Sequence, residues 1–252
     1  MGFGNGKKNF WVSYATYSNI GGRAVNEDSI KVMERDGQYC FVVCDGLGGH
    51  GMGDIASKLV TEVFESCFQD RTDMSAFLDD AFMASQDILM AEQIRRHAQM
   101  KMKTTGVAVA IDSNNAYIGH IGDSRLYIFS KDKVKKRTLD HSIPQMLVMT
   151  KDIKESDIRH HPERNIVLRV LGIEWEEPMY ELMKPVPLSK CQAFLLCTDG
   201  FWELIEEDVM CDMLKKATSP QEWLGNMAHA VKVNGAGTNM DNNSAIAIWI
   251  SR

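Results

Sequence analysis

Nothing in these 252 residues reads as a Cys-x-x-Cys pair, although six cysteines are present: Cys40, Cys44, Cys67, Cys191, Cys197 and Cys211. Without that spacing, paired-thiolate zinc and redox motifs are excluded. Four of the six lie in or beside apolar runs, where a thiol behaves as a small hydrophobe. Free thiols with no secretory signal fit a reducing, cytoplasmic compartment. No apolar stretch approaches the roughly 18 residues of a membrane span. Residues 1–8 are Gly-rich and polar, and lack the apolar centre of a signal peptide. Gly2 would permit lipidation, but Gly6 stands where that motif has Ser or Thr. Positive charge is also scarce. The net charge is -6 and the only basic run, 131–137, reads as a solvated turn and strand end, so no nucleic-acid surface is expected.

What is present is ordinary in bulk and specific in detail. The 44% hydrophobic and 25% charged content is that of a globular chain long enough to bury a sizeable core. Strand-like runs cover 11–17, 29–34, 39–44, 106–111, 116–121, 125–129, 193–198 and 245–250. Asp36-Gly37 and Asp112-Ser113-Asn114-Asn115 supply hairpin turns between them. Helical spacing puts Ile55, Leu59, Val63 and Cys67 on one face. It does the same for Phe77, Leu78, Ala81, Phe82, Ser85, Ile88 and Leu89. Weaker helices are expected over 142–150 and, after Ser219-Pro220, over 222–233. Strands mostly follow strands through short turns, which predicts an α+β architecture of antiparallel sheets with segregated helices. The chain reads as one domain, 1–252, with a flap-like insertion around 142–190 marked by Pro162, Pro178, Pro185 and Pro187. Sixteen methionines, Met146, Met149, Met179 and Met183 among them, read as gap fillers or as an adaptable surface.

Four aspartates stand at the ends of these runs. Asp45 follows an apolar run and opens the Gly-rich turn Gly46-Leu47-Gly48-Gly49-His50, with a helix beginning near Met52. Asp199-Gly200 follows 194–198 in the same way. Asp123 lies between two runs, and Asp241 precedes the last one. One Asp before Gly is ordinary turn chemistry. In antiparallel sheets, however, the end of one strand adjoins the start of the next, so all four can meet on one rim. Carboxylates so close repel and raise one another's pKa. A divalent cation removes that penalty, and an all-oxygen set suits hard ions such as Mg²⁺ or Mn²⁺. Gly46, lacking a side chain, can bring its carbonyl close to a cation. Upstream, Arg23, Glu27 and Asp28 add a guanidinium and two carboxylates. They form either a phosphate-holding group or an exposed loop with a surface ion pair.

Taken together, 23–28, Asp45-Gly46-Leu47-Gly48-Gly49-His50, Gly122-Asp123-Ser124-Arg125, Asp199-Gly200-Phe201-Trp202 and Asp241-Asn242 occur in the order found in metal-dependent protein phosphatases. The chain resembles the protein phosphatase 2C type in its bacterial form, over nearly its whole length. Asp140-His141-Ser142 and His161-Pro162-Glu163-Arg164-Asn165 also look like bacterial members. The resemblance implies an α-β-β-α sandwich of two antiparallel sheets flanked by helix pairs. It also implies a Mn²⁺ or Mg²⁺ pair and a third, weaker ion. By position, Asp45 resembles the ligand bridging both ions and Gly46 the carbonyl ligand. Asp199 and Asp241 resemble the remaining direct ligands of one ion. Glu27 and Asp28 match the acidic pair that orders metal-bound water, Asp123 the ligand of the third ion, which Asp199 would share, and Arg23 the phosphate-holding arginine.

The implied activity is hydrolysis of phosphoserine and phosphothreonine in proteins, opposing a serine/threonine kinase in bacterial signalling. No phosphoenzyme is needed, and the cysteines lack the Cys-x₅-Arg loop of cysteine phosphatases. Leu47 departs from animal-type members, which carry a proposed histidine acid there. The acid role is not carried to His50, and water near Asp123 is the expected proton donor. Two other readings stand beside this one. A phosphoprotein-binding pseudophosphatase would have lost a ligand aspartate. A phosphatase dedicated to stress or sporulation would tend to lack Arg23 and the Glu27-Asp28 pair.

Overall fold

In the computed structural model, residues 10–47, 52–71, 73–99 and 101–251 are described. The strands are β1 (Trp11–Asn19), β2 (Asp28–Arg35), β3 (Gln38–Leu47), β4 (Lys103–Thr104), β5 (Gly106–Ile111), β6 (Asn115–Ile121), β7 (Arg125–Ser130), β8 (Lys133–Arg137), β9 (Glu181–Leu182), β10 (Val186–Pro187), β11 (Ala193–Cys197) and β12 (Asn243–Ser251). The helices are α1 (Gly53–Asp70), α2 (Met74–Arg95), α3 (Ile143–Thr150), α4 (Asp199–Trp202), α5 (Glu207–Lys216) and α6 (Pro220–Asn234). One sheet runs β1-β12-β11-β7-β8. The other runs β10-β6-β5-β3-β2, with β4 extending beside β3 and β9 beside β6. Every pairing among the described strands is antiparallel.

Side-chain alternation builds four layers from these two sheets, because successive residues of a strand point to opposite faces. On β3, Phe41 and Val43 enter a central core with Val107, Val109, Leu126, Phe194, Leu196, Ile246 and Ile248. Between them Cys40, Val42 and Cys44 face outward, under Phe64 of α1 and Phe77 and Phe82 of α2. The other sheet repeats the pattern. Tyr127, Leu195, Cys197, Ala245 and Ala247 pack outward beneath Met210 and Leu214 of α5 and Trp223 and Met227 of α6. The central strands are therefore buried on both faces, which explains their unbroken apolar runs. The α-β-β-α order is the one the resemblance implied.

Local chemistry sets the element ends. Asp36 and Gly37 both take positive φ, 55° and 73°, as a tight hairpin turn requires. The Asp73 carboxylate accepts from Ser75 N–H at the start of α2, and Ser219 Oγ accepts from Glu222 N–H at the start of α6.

Several expectations need correction. On α1 Val63 is buried as expected, together with Ala56, Val60, Phe64 and Phe68, while Ile55, Leu59 and Cys67 are only partly buried at the margin of the core. The apolar stripe is wide enough that spacing alone selected its edge. Ile88 of α2 is 44% exposed. The run 131–137 contains β8, a Lys-rich edge strand of the kind that discourages pairing with another chain. α5 was not anticipated, since only Met210 and Leu214 of its ten residues are buried. Within 142–190, α3 is capped by Ser142 and ends at Lys151 with φ 68°. There Met146 and Met149 are exposed, whereas Met179 and Met183 pack against the cores.

Candidate active site

Topology gathers the acidic residues at one rim. β11 and β12 are antiparallel neighbours, so Asp199, two residues past Cys197, lies beside Asp241, two residues ahead of β12. β7 flanks β11 on its other side with Arg125 opposite Cys197, which brings Asp123 to the same end. In the second sheet Asp28 is directly opposite Asp45. Asp45 is not a strand end as expected, because β3 continues to Leu47 alongside β4. The sheets are tied across the gap where Thr198 Oγ1 donates to Asp28 Oδ2 at 3.1 Å.

The supporting bonds fix this rim in place. Asp45 N–H donates to Thr105 Oγ1 at 3.0 Å, and that hydroxyl is 2.8 Å from Ser124 Oγ, linking the Asp45 strand to the Asp123 turn. Trp202 Nε1–H donates to the Asp123 carbonyl at 3.0 Å. Asn242 binds the loop that carries Arg23: its side chain accepts from Glu27 N–H at 2.8 Å and donates to the carbonyls of Ile20 and Val25. Arg23 Nη2 is 2.8 Å from Asp241 Oδ2, and both side chains are nearly half exposed. Gly46 is required, since a Cβ there would stand 2.1 Å from the Gly53 carbonyl oxygen.

Like charge dominates the electrostatics. Burial raises the Asp45 carboxyl well above the usual range, and Asp199, Asp28 and Asp123 push it further. Burial raises Asp123 in the same way, followed by Asp199 and Asp140. Asp199 is raised by burial and by Asp241, against opposing bonds from Asp45 and Gly200 N–H. Asp28 is pushed up to about 7, mainly by burial, and its Oδ1 is buried with no hydrogen-bond partner among the described residues. Glu27 is raised by burial and, less strongly, by Asp54 and Asp241.

All eight site residues expected from the sequence, Arg23, Glu27, Asp28, Asp45, Gly46, Asp123, Asp199 and Asp241, thus belong to one rim. Gly48, Gly49 and His50 lie outside the described residues. The sequence reading missed Glu203, which lies four residues past Asp199 on the α4 turn. Burial and then Asp199 push its carboxyl to about 7, while Arg164 stands 3.2 Å away. The i, i+4 spacing would have disclosed it had α4 been expected. Thr198 was given no role, and Asn242, although part of the Asp241-Asn242 motif, was not expected to anchor the Arg23 loop.

Known proteins resemble this chain in both sequence and fold. A family profile described as Protein phosphatase 2C matches residues 16–242. The serine/threonine phosphatase stp of Listeria welshimeri is 31% identical over 204 residues, covering 78% of this chain and 80% of that protein. The Mycobacterium tuberculosis serine/threonine phosphatase PstP/Ppp superposes with a TM-score of 0.82 at 26% identity, over 96% of this chain and 99% of that one. The catalytic domain of PstP in complex with two manganese ions has the same fold, with a TM-score of 0.81 at 24% identity over 96% and 100%. The chain belongs to the protein phosphatase 2C family. It is a protein phosphatase, as the resemblance of its motifs implied.

Proposed function

We propose that the chain hydrolyses phosphoserine and phosphothreonine in proteins with the help of two divalent cations, Mn²⁺ or Mg²⁺, at the acidic rim. The observation that carries this reading is the packing of Asp28, Asp45, Asp123 and Asp199, each driven toward its protonated form by burial and by its neighbours. Such a cluster fits hard cations. Every donor is oxygen, and the orphaned Asp28 Oδ1 is a buried acceptor in need of a partner. The PstP catalytic domain, which has this fold, holds two manganese ions.

In this reading Asp45, the Gly46 carbonyl, Asp199 and Asp241 hold the pair, while Glu27 and Asp28 accept hydrogen bonds from water beside it. Asp123 and Glu203 share a third, looser ion with Asp199. Bound cations supply Lewis acidity, activating water at neutral pH and offsetting charge on the phosphoryl group. Arg23 at the lip presents a guanidinium suited to bidentate hold on phosphate oxygens. Burial raises the Cys40, Cys44 and Cys197 thiols far above their ordinary value, so they stay protonated and serve as core rather than as nucleophiles. The chain works as one catalytic unit, with 142–190 as a flap beside the rim, and opposes a cytoplasmic serine/threonine kinase. No helix among the described residues is long and apolar enough to cross a membrane.

Hydrolysis of a phosphothreonine peptide tests the reading. Activity should vanish with chelator and return with Mn²⁺ or Mg²⁺, and full activity of metal-free protein would overturn it.

A further inference from the structure

Behind the Asp123 turn lies a polar cluster that the proposed chemistry does not use. His120 of β6 and His141, in the loop after β8, are 2% and 7% exposed, and their rings stack with centroids 4.7 Å apart. Glu181 of β9 is the cross-strand partner of His120. Its Oε1 lies 3.3 Å from His141 Nε2 and 3.3 Å from Arg169 Nη1.

The hydrogen bonds assign the ring protons. His120 Nε2–H donates to the Leu139 carbonyl at 2.8 Å. His141 Nδ1 accepts from Gly122 N–H at 3.1 Å, so it carries no proton, and the proton of the neutral ring sits on Nε2, facing Glu181. The 3.3 Å separation is that of an attraction rather than a well-aligned hydrogen bond. Burial keeps both rings neutral: the His141 pKa falls to about 4, with the stacked His120 adding to the effect and Glu181 opposing it.

Two imidazoles and a carboxylate are also a possible ligand set for a metal ion. Two features oppose that use. The nitrogen that His141 would offer is the protonated one, and the Arg169 cation already stands at the Glu181 oxygen.

The other partner of His141 is more informative. Its backbone N–H donates to the Gly122 carbonyl at 2.9 Å, so main chain and side chain together grip both polar groups of Gly122. Gly122 sits at φ 98°, and a Cβ there would meet Thr105 Cγ2 at 2.6 Å. The peptide it leads into carries Asp123.

We infer that Glu181 and His141 are positioning residues for Asp123, forming a relay from the β9 edge through Gly122 to the catalytic rim. Gly122 N–H sets the His141 tautomer, and the Glu181 carboxylate attracts the protonated Nε2 edge and so helps orient the ring. The His141 ring in turn holds the Ile121–Gly122 peptide while its backbone N–H holds the Gly122 carbonyl, so the ring sets the φ of Gly122 and with it the angle at which Asp123 enters the rim. His120 stacks on the ring and limits its rotation. Glu181 and Arg169 are about half exposed, so the outer end of the relay lies at the surface, within 142–190. The role of the relay in turnover rests on the reading of Asp123 as a ligand of the third cation.

The test uses the full chain with Mn²⁺, and Asp123→Ala sets the scale. That variant should lose much more turnover on a phosphothreonine peptide than on an activated aryl phosphate, whose phenolate leaves without a proton. His141→Ala should show the same split, with kcat on the peptide down about tenfold, the lower end for outer partners of a metal ligand, and KM unchanged. His141→Asn, whose amide oxygen can accept from Gly122 N–H, should recover most of the loss. Glu181→Ala should cost less and add nothing to His141→Ala. A split for Asp123→Ala without one for His141→Ala overturns the relay. Equal losses on both substrates for Asp123→Ala overturn the third-cation reading instead. In that case nitrogen NMR of the imidazoles decides the relay by itself. The expected pattern is a bare Nδ1 and protonated Nε2 at His141, with the Gly122 amide resonance shifting in Glu181→Ala. A protonated Nδ1, a fixed Gly122 resonance, or stoichiometric Zn²⁺ binding lost in His120→Ala would overturn it.

Discussion

Two buried charged clusters meet at Trp202, and they treat charge in opposite ways. On one side Arg125 takes Asp140 in bidentate fashion, at 2.8 and 2.6 Å, and lies 3.4 Å over the Trp202 ring. Arg159 continues the pairing to Glu207 at 2.7 Å, and Tyr127 donates to the same carboxylate. Every charge there has an opposite partner inside the protein. On the other side of Trp202, Asp123 joins Asp28, Asp45 and Asp199, where Arg23 at the exposed lip and Arg125 behind Asp123 offset only part of the negative charge. A fold that neutralises one cluster and leaves the next unbalanced has left room for charge from outside. The compensated cluster reads as architecture, and the uncompensated one is the site at which the chemistry is proposed.

Substitutions should separate the two by the sign of their effect on stability. Asp45→Asn removes one repelling charge, so metal-free protein should melt at a higher temperature than the parent. It should also lose the Mn²⁺-induced rise in melting temperature, and turnover should drop by about a hundredfold or more, at least the loss seen for outer partners of metal ligands. A lowered melting point would mean that the cluster is held by internal bonds rather than strained by repulsion. Asp140→Ala should act the other way. It strands the Arg125 guanidinium in the interior, which costs about 3–5 kcal/mol for a buried pair, to be read from urea unfolding with metal absent. A loss under 1 kcal/mol would remove the contrast.

Acidity sharpens the comparison further. The folded-state pKa of Asp28 is raised, to about 7 from an ordinary 3.8, and Asp45 and Asp199 are raised as well. A group of this kind contributes stability that is fully present below its unfolded pKa and is lost as pH rises through the folded one. Metal-free protein should therefore lose stability between about pH 4 and pH 7 or above. Saturating Mn²⁺ should offset that loss, by about 2.7 kcal/mol at a hundredfold excess over Kd. A pH-independent melting curve in chelator would contradict the electrostatic account. The smallest effect belongs to the lip. Arg23→Ala should raise KM about tenfold, as expected for one charge-assisted contact, and leave calorimetric metal affinity intact. Equal loss of metal binding would move Arg23 from the phosphate to the cations.

How much of this was legible in the sequence follows from what each feature depends on. The long strands and both long helices were readable because burial on a face imposes a period, as at Phe41 and Val43 or Phe77 and Ala81. That Asp123, Asp199 and Asp241 could meet on one rim was readable because turn chemistry places Asp at strand ends, whereas the roles expected of Arg23, Glu27 and Asp28 came from the family resemblance. Features that depend on pairing across the chain were not readable. Nothing local says that Glu181, in a two-residue strand, faces His120. Glu203 becomes visible only once residues 199–202 are known to be helical. The face of α1 was misjudged because its apolar stripe is wider than a single row of residues.

The order of strands in the first sheet has a consequence for how the enzyme comes into being. β12 lies between β1 and β11, so Trp11 pairs with Ser251 across 240 positions of chain. Contacts that close loops of this length form slowly and reward the chain only after most of its entropy has been lost. Until β12 enters, Asp241 has no neighbour in Asp199 and the rim cannot assemble. On the proposed reading, a chain that lacks β12 is expected to show no turnover, because topology alone withholds Asp241 from Asp199.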